Sequence, residues 1–262
     1  MTENDYSLIT EIPGNRASAE QLEMIHTRYA LAAGFAINRD VLEAAAGPGR
    51  GLGFLAFSAK SVLGGDIMDN LVKMARDQYA ENKRIKVLTF DAQQMPFPDS
   101  CFDLVIMFEA IYYLPDAVKF IAESWRVLRP GGILLVCSVN REWADFNPSP
   151  FSTRYFSALD LRDLLSQAGF KAEIMAGFEA AAKSSAQKAV SLVKRTAVKL
   201  GLIPKSMKGK AWLKRLFFGK LGELGPEIDA TTPVRTLVSI SSFPVTSYKV
   251  LYAIGTKPAG AA

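Results

Sequence analysis

An α/β fold built on a doubly wound, mostly parallel sheet is predicted by three features of this 262-residue chain. Apolar runs of strand length alternate with amphipathic stretches of helix length. The first such run, Val41-Leu-Glu-Ala-Ala-Ala-Gly-Pro-Gly-Arg-Gly-Leu-Gly53, passes from an apolar strand carrying an acid into a glycine cluster that opens a helix. The next two strands end on acids, Asp66 and Asp91, at the edge of the sheet where folds of this kind bind their ligands.

Ala19 to Phe35 reads as an N-terminal helix. Strands follow near 39–44, 61–66, 86–90, 103–108, 132–138 and 170–176, with helices near 51–59, 68–82, 116–128 and 157–168 between them. Ser157 is the expected N-cap of the last of these helices and Gly169 its stop, with leucines at helical spacing between them. Arg129-Pro-Gly-Gly132 reads as a turn into the fifth strand, and Tyr248 to Ile254 as a final strand. With 49% hydrophobic residues the chain can bury a substantial core. No uninterrupted apolar window of about eighteen residues exists, so no membrane span is expected. The start, Met1-Thr-Glu-Asn-Asp-Tyr6, lacks the basic-then-apolar order of a secretory signal. Cys101 and Cys137 fall near strands and suit buried free thiols, which with the leader-less start favours a cytoplasmic protein. One histidine and two separated cysteines make no metal cluster, and no metal is expected.

The glycine loop narrows the ligand. Glycines at 47, 49, 51 and 53 let the backbone turn sharply and approach a ligand, and the helix that follows presents free N–H groups. A dinucleotide fingerprint starting at Gly47 needs glycine where Leu52 stands, and one starting at Gly49 fails at Phe54. No Gly-Lys-Ser/Thr follows, which removes the phosphate-loop pattern. The remaining spacing, Glu43-x-Ala45-x-Gly47-x-Gly49, resembles the first motif of class I S-adenosylmethionine-dependent methyltransferases. It departs from that motif at Ala45, where the family usually has glycine, so this turn has to tolerate a Cβ. Asp66 lies about twenty residues beyond the loop, where a strand-end carboxylate accepts from both ribose hydroxyls.

The resemblance implies a Rossmann-like sheet of seven strands in the order 3-2-1-4-5-7-6, the last strand antiparallel. It implies S-adenosylmethionine as cofactor, held by Glu43, Ala45, Gly47 and Gly49, by Asp66 and Ile67 at the ribose, and by Asp91, Ala92 and Gln93 at the adenine. Phe108 and the lid residue Tyr29 complete that set, and Arg28 beside Tyr29 is a further candidate.

The sulfonium methyl is already activated, so the protein mainly fixes geometry and excludes water. A base is needed for a hydroxyl or a protonated amine. The loop after the fourth strand, Phe108-Glu-Ala-Ile-Tyr-Tyr-Leu114, lies where the family aims groups at the methyl, and Glu109 and Tyr112 are the catalytic candidates. Small-molecule relatives often carry histidines where Tyr112 and Tyr113 stand, which speaks against a histidine base from this loop. Acceptor-binding candidates are Tyr113, the lid residue His26, and Arg141, Asn147 and Arg154 from a segment that mixes aromatic and polar groups as a hydroxyl-rich ligand requires. That segment resembles methyltransferases of bacterial sugar and surface-polysaccharide pathways, and the expected acceptor is a small molecule or glycan. Methylation of a lipid or quinone at the membrane, and a non-catalytic cofactor-binding module, are the alternatives.

The chain divides into a helical lid (1–36), a cofactor-binding core (37–178), a basic helical insert (179–243) and a last strand with its tail (244–262). Lys183 to Lys220 holds eleven Lys or Arg and no acid, so the net charge of +5 is concentrated there. Two readings stay open for it: an apolar-faced helical cap with solvated lysines, or a peripheral contact with the inner membrane surface. Nucleic acid is the weakest partner, since the charges form no known binding module.

Overall fold

The computed structural model describes residues 11–180 and 221–260. Among the described residues, ten strands and five helices run in chain order: β1 (Arg16–Ala17), α1 (Ala19–Ala36), β2 (Asp40–Ala44), α2 (Leu52–Ala56), β3 (Ser61–Asp66), α3 (Asp69–Gln78), β4 (Ile85–Thr89), β5 (Phe102–Phe108), α4 (Ala117–Val127), β6 (Leu128–Val139), α5 (Ala158–Gln167), β7 (Lys171–Glu179), β8 (Gly222–Glu223), β9 (Val238–Ser239) and β10 (Tyr248–Thr256). A short 3-10 turn, Ile111–Tyr113, follows β5.

The main sheet has the order β4-β3-β2-β5-β6-β10-β7-β9, and β10 is antiparallel to both its neighbours. Its first seven strands stand in the predicted order. The eighth, β9, is a two-residue addition on the β7 edge. The central strands β2 and β5 are covered on both faces, and Val41, Leu42 and Leu104 to Met107 are fully buried. Such strands read as continuous apolar runs rather than alternating ones. On one face α1, α2 and α3 bury Ile25, Leu52, Leu55 and Val72. On the other, α4 and α5 bury Phe120, Ile121, Leu161 and Leu165. Ser18 and Ser157 each cap their helix through a reciprocal box, with Gln21 and Asp160 returning the bond.

Two local expectations change. β6 begins at Leu128 rather than after the glycines: Arg129-Pro-Gly-Gly132 lies within it, and the register against β5 shifts from Phe102↔Leu128 to Leu104↔Ile133. Gly131 at φ +79° makes this irregularity possible. The glycines of the loop also divide by purpose. Gly47 and Gly49 have φ of +56° and +80°, whereas Gly51 is ordinary backbone whose added Cβ would stand 1.8 Å from the Tyr29 ring. Glycine at 51 is needed for room, and that room seats the N-terminal helix on the loop.

The basic stretch 183–220 lies outside the described residues. The described remainder of the expected insert, 221–243, holds the short strands β8 and β9 and no helix; β8 pairs with β1 in a separate two-stranded ribbon. Among the described residues no helix is long and apolar enough to cross a membrane.

Candidate active site

A cavity of about 600 Å³ opens over the ends of β2, β3, β5 and β6 under the first turns of α1, within the range of small-molecule sites. Glu43, in β2, is 2% exposed. Its Oε1 accepts from the Tyr29 hydroxyl at 2.5 Å, while its Oε2 is buried without a partner. Burial lifts the Glu43 carboxyl to about 7, against the pull of the Tyr29 bond and the nearby Arg28 charge. The chain then turns through Ala45 at φ +59°, a conformation that costs a residue with a Cβ roughly 1–2 kcal/mol. Asp66 closes the turn from β3: Oδ2 accepts from the Gly47 amide at 2.9 Å and Oδ1 from the Met68 amide at 3.0 Å. Burial raises the Asp66 carboxyl, and these amide bonds partly restrain it. A carboxylate offers about four lone-pair directions, so Asp66 keeps capacity for further donors.

Ile67, Asp91, Ala92 and Gln93 continue the wall. Asp91 accepts from the Gln93 amide at 2.8 Å, and Gln93 Oε1 accepts from the Asp116 amide at 2.8 Å, which fixes this edge to the start of α4. Gly49 does not line the cavity. Its carbonyl accepts from the Tyr79 hydroxyl and a Cβ there would meet Ala75, so it serves the packing of α3 instead of the ligand wall expected of it.

Opposite stands Glu109, directly after Phe108, in left-handed backbone at φ +51°. Its amide donates to the Cys137 carbonyl at 2.9 Å, its Oε2 accepts from the Tyr112 hydroxyl at 2.9 Å, and Cys137 Sγ donates to Oε1 at 3.6 Å. Burial raises the Glu109 carboxyl above its ordinary range, with Arg28 and Tyr112 pulling the other way. Burial likewise pushes the Tyr112 hydroxyl well up, so it remains a neutral donor. Tyr112 stacks on Tyr155 at 4.9 Å, and its carbonyl accepts from the Thr153 amide, tying the 3-10 turn to the segment before α5. Tyr113 also lines the cavity.

Four expected acceptor-binding residues lie off this cavity. His26 is buried on the other side of α1, with Nδ1 donating to the Thr232 carbonyl and the ring edge-on to Phe54 at 5.4 Å. Arg141 and Arg154 both pair with Asp160 at the start of α5, at 3.0 and 3.3 Å. Asn147 is exposed. From the same segment the cavity receives Trp143, whose indole N–H is buried without a partner. Glu11, Arg50 and Lys249 also line it. Arg50 was legible as a cation inside the glycine loop; nothing in the sequence pattern marked Glu11.

Residues 42–136 match the family model described as "Methyltransferase domain". The chain is 38% identical over 141 residues to a probable S-adenosylmethionine-dependent methyltransferase of Mycolicibacterium smegmatis, covering 52% of this chain and 53% of that one. It is 31% identical over 97 residues to a demethylmenaquinone methyltransferase of Clavibacter sepedonicus, covering 37% and 40%. The matched region thus spans about half or less of these curated relatives' length. A crystal structure from Thermotoga maritima, described as an S-adenosylmethionine-dependent methyltransferase and possible histamine N-methyltransferase, superposes with a TM-score of 0.58 over 91% of this chain and 94% of that one. At 18% identity it speaks for the shared fold. Residues 42–136 form a class I S-adenosylmethionine-dependent methyltransferase domain.

The cavity suits this cofactor on its own chemistry. Glu43 Oε2 is a buried acceptor without a donor, and Arg50 Nη1 a buried donor without an acceptor. An amino-acid zwitterion would complete both, ammonium to Glu43 and carboxylate to Arg50, while Asp66 keeps capacity for hydroxyls. A pH dependence follows. The folded Glu43 pKa of about 7 lies above its ordinary value of 4.5, so its contribution to stability is present below about 4.5 and is lost as pH rises through about 7. Cofactor affinity should move oppositely, because only the ionised carboxylate pairs with an ammonium. Titration calorimetry with S-adenosylhomocysteine should show affinity falling by up to about tenfold per unit below pH ~7, and Glu43→Gln should flatten the profile. A flat wild-type profile would remove Glu43 from the ammonium contact.

Proposed function

We propose that this chain transfers the methyl group of S-adenosylmethionine to a small acceptor bearing a hydroxylated planar ring, of the phenol or quinol class, with Glu109 taking the hydroxyl proton. The observation that carries this reading is Glu109 itself. A carboxylate in left-handed backbone, half-buried and raised in pKa, faces the same cavity as Glu43 and Asp66. Strained ionisable groups of this kind cluster at functional sites.

S-adenosylmethionine supplies a methyl group already activated for displacement. The chain's own part is to hold the acceptor, exclude water and accept one proton. Glu109 removes the proton from the acceptor hydroxyl, Tyr112 holds the carboxylate through its Oε2, and the proton leaves to solvent after transfer. Deprotonation makes the ring oxygen the nucleophile, or the ring carbon beside it, which then loses its own hydrogen as a proton while the oxygen is reprotonated, so that one proton is released in either case.

The acceptor class rests on the wall beside Glu109. Tyr113, Leu114, Val139, Trp143 and Val250 give it an aromatic and aliphatic lining, with the indole N–H of Trp143 as a buried polar group without a partner. A hydroxyl-rich sugar was expected to use Arg141, Asn147 and Arg154, which stand elsewhere, so the glycan reading loses its support from those residues. The kinship to a demethylmenaquinone methyltransferase points the same way as the wall. Labelled-methyl transfer to a panel of hydroquinones, simple phenols and nucleotide sugars tests the proposal. Transfer to a hydroquinone or phenol is expected; transfer to sugars alone would overturn the acceptor class, and cofactor binding without transfer to any would overturn the activity.

A further inference from the structure

The amino-acid end of the cavity is crowded with charge. Arg28 and Arg50 are 5% and 6% exposed, and they share one anion, Glu11, whose side chain is 38% exposed. Arg28 holds Glu11 through both terminal nitrogens, Nη1 donating to Oε1 at 3.2 Å and Nη2 to Oε2 at 2.5 Å. Arg50 is less well served: its Nη1 stands 3.7 Å from Glu11 Oε2, beyond hydrogen-bond range, and its Nε is spent on the Gly225 carbonyl at 2.8 Å. Arg50 Nη1 and Arg28 Nε are both buried without a partner. Burial depresses the Arg50 pKa despite Glu11 nearby, whereas at Arg28 the lowering by burial is overcome by Glu11 together with Tyr29 and Cys137, and that guanidinium is held well above its usual value. Glu43 does not fill the gap, because Oε1 is held by Tyr29 and the group is half protonated near neutrality.

We propose that Arg28 and Arg50 form a carboxylate seat which Glu11 holds in the free protein and the amino-acid carboxylate of the cofactor takes over, so that Glu11 is an internal competitor that sets cofactor affinity. The inference rests on the cofactor reading given above. A second carboxylate seated at Arg50 would stand beside Glu11, so the two anions repel and compete for the same pair of guanidiniums. Glu11 is the half-exposed partner and sits at the end of the described chain, three residues before a backbone clamp in which the Gly14 amide donates to Leu224 and the Leu224 amide to Asn15. Arg50 is bonded to the same 222–225 segment. Occupation of the seat therefore bears on the glycine loop, the N-terminal approach and that segment together.

The seat distinguishes ligands that carry the amino-acid end from those that do not, which separates it from ordinary packing. Titration calorimetry on the full chain with S-adenosylhomocysteine and with 5′-methylthioadenosine, which lacks that end, tests it. Glu11→Gln is expected to tighten S-adenosylhomocysteine by about tenfold, to leave methylthioadenosine unchanged, and to lower the melting temperature of the free protein while enlarging its rise on ligand addition. Arg50→Met should weaken S-adenosylhomocysteine on the order of tenfold or more and abolish the gain from Glu11→Gln, again sparing methylthioadenosine. Glu11→Gln binding S-adenosylhomocysteine no better than wild type, with methylthioadenosine still bound, would overturn the seat alone. Failure of the wild type to bind either ligand would overturn the cofactor reading and the seat with it.

Discussion

Glu109→Gln is expected to lower turnover by a factor on the order of 10²–10⁴, the usual weight of a positioned general base, while cofactor affinity stays within about twofold of wild type. The amide has the same shape, and its oxygen still accepts from the Tyr112 hydroxyl that Glu109 Oε2 now engages at 2.9 Å. What disappears is the capacity to take a proton. Single-turnover measurements on the preformed cofactor complex read the chemical step directly. The pH profile carries a second signature. Burial holds the Glu109 carboxyl above the ordinary range, so turnover should climb with pH through a limb lying above where an exposed glutamate ionises. Tyr112→Phe removes a bond that favours the charged form, so that limb should move further up with a smaller loss at its plateau. Equal turnover in Glu109→Gln and wild type would take Glu109 out of the mechanism. A collapse of cofactor binding with turnover per bound cofactor intact would assign it to the cofactor wall.

The sequence marked what the backbone path dictates and missed what side chains choose among themselves. The seven-strand order came from the family resemblance, and that resemblance was readable because the first four core strands end on recognisable groups: Glu43 before its glycines, Asp66, Asp91, and Phe108 with Glu109. The strain at Ala45 was readable for the same reason, since the position calls for glycine and the chain has alanine; its φ of +59° is the result. The strand β9 was not readable, because two residues show no period. Nor was the irregular start of β6, where Pro130 and two glycines spell a turn that the pairing of Leu128 with Phe102 draws into the sheet. At the site the errors have one cause. Arg141 and Arg154 look like ligand-binding cations beside their aromatic neighbours, yet Asp160, which caps α5, competes for both. His26 faces a carbonyl more than 200 residues away, and Glu11 reaches Arg28 across 17 residues. Partners so distant in sequence leave no local pattern, whereas Tyr29 and Glu43, which meet on the cavity wall, stand on the lid helix and the strand end to which the family resemblance pointed.

Asp66→Ala should weaken both S-adenosylhomocysteine and 5′-methylthioadenosine by about tenfold to a hundredfold, since both carry the ribose whose hydroxyls would lose their acceptor, and an unmet buried hydrogen bond costs about 1–3 kcal/mol. This loss differs from that expected at Arg50, which should spare methylthioadenosine, so the two residues report on opposite ends of one cavity. Asp66 also works without ligand. Its Oδ2 accepts from Gly47 and its Oδ1 from Met68, so alanine strands two amides and opens the turn that Gly47 makes at φ +56°. The free protein should therefore lose melting temperature as well, by about 2–4 °C for each kcal/mol. Asp66→Asn separates the two roles. One amide oxygen still accepts from a backbone N–H, but the amide nitrogen cannot accept from Gly47 or from a hydroxyl, so melting should partly recover while affinity stays low. A lowered melting temperature with both affinities at wild-type values would leave Asp66 as the support of the glycine turn and move the ribose contact to another group on the β3 edge.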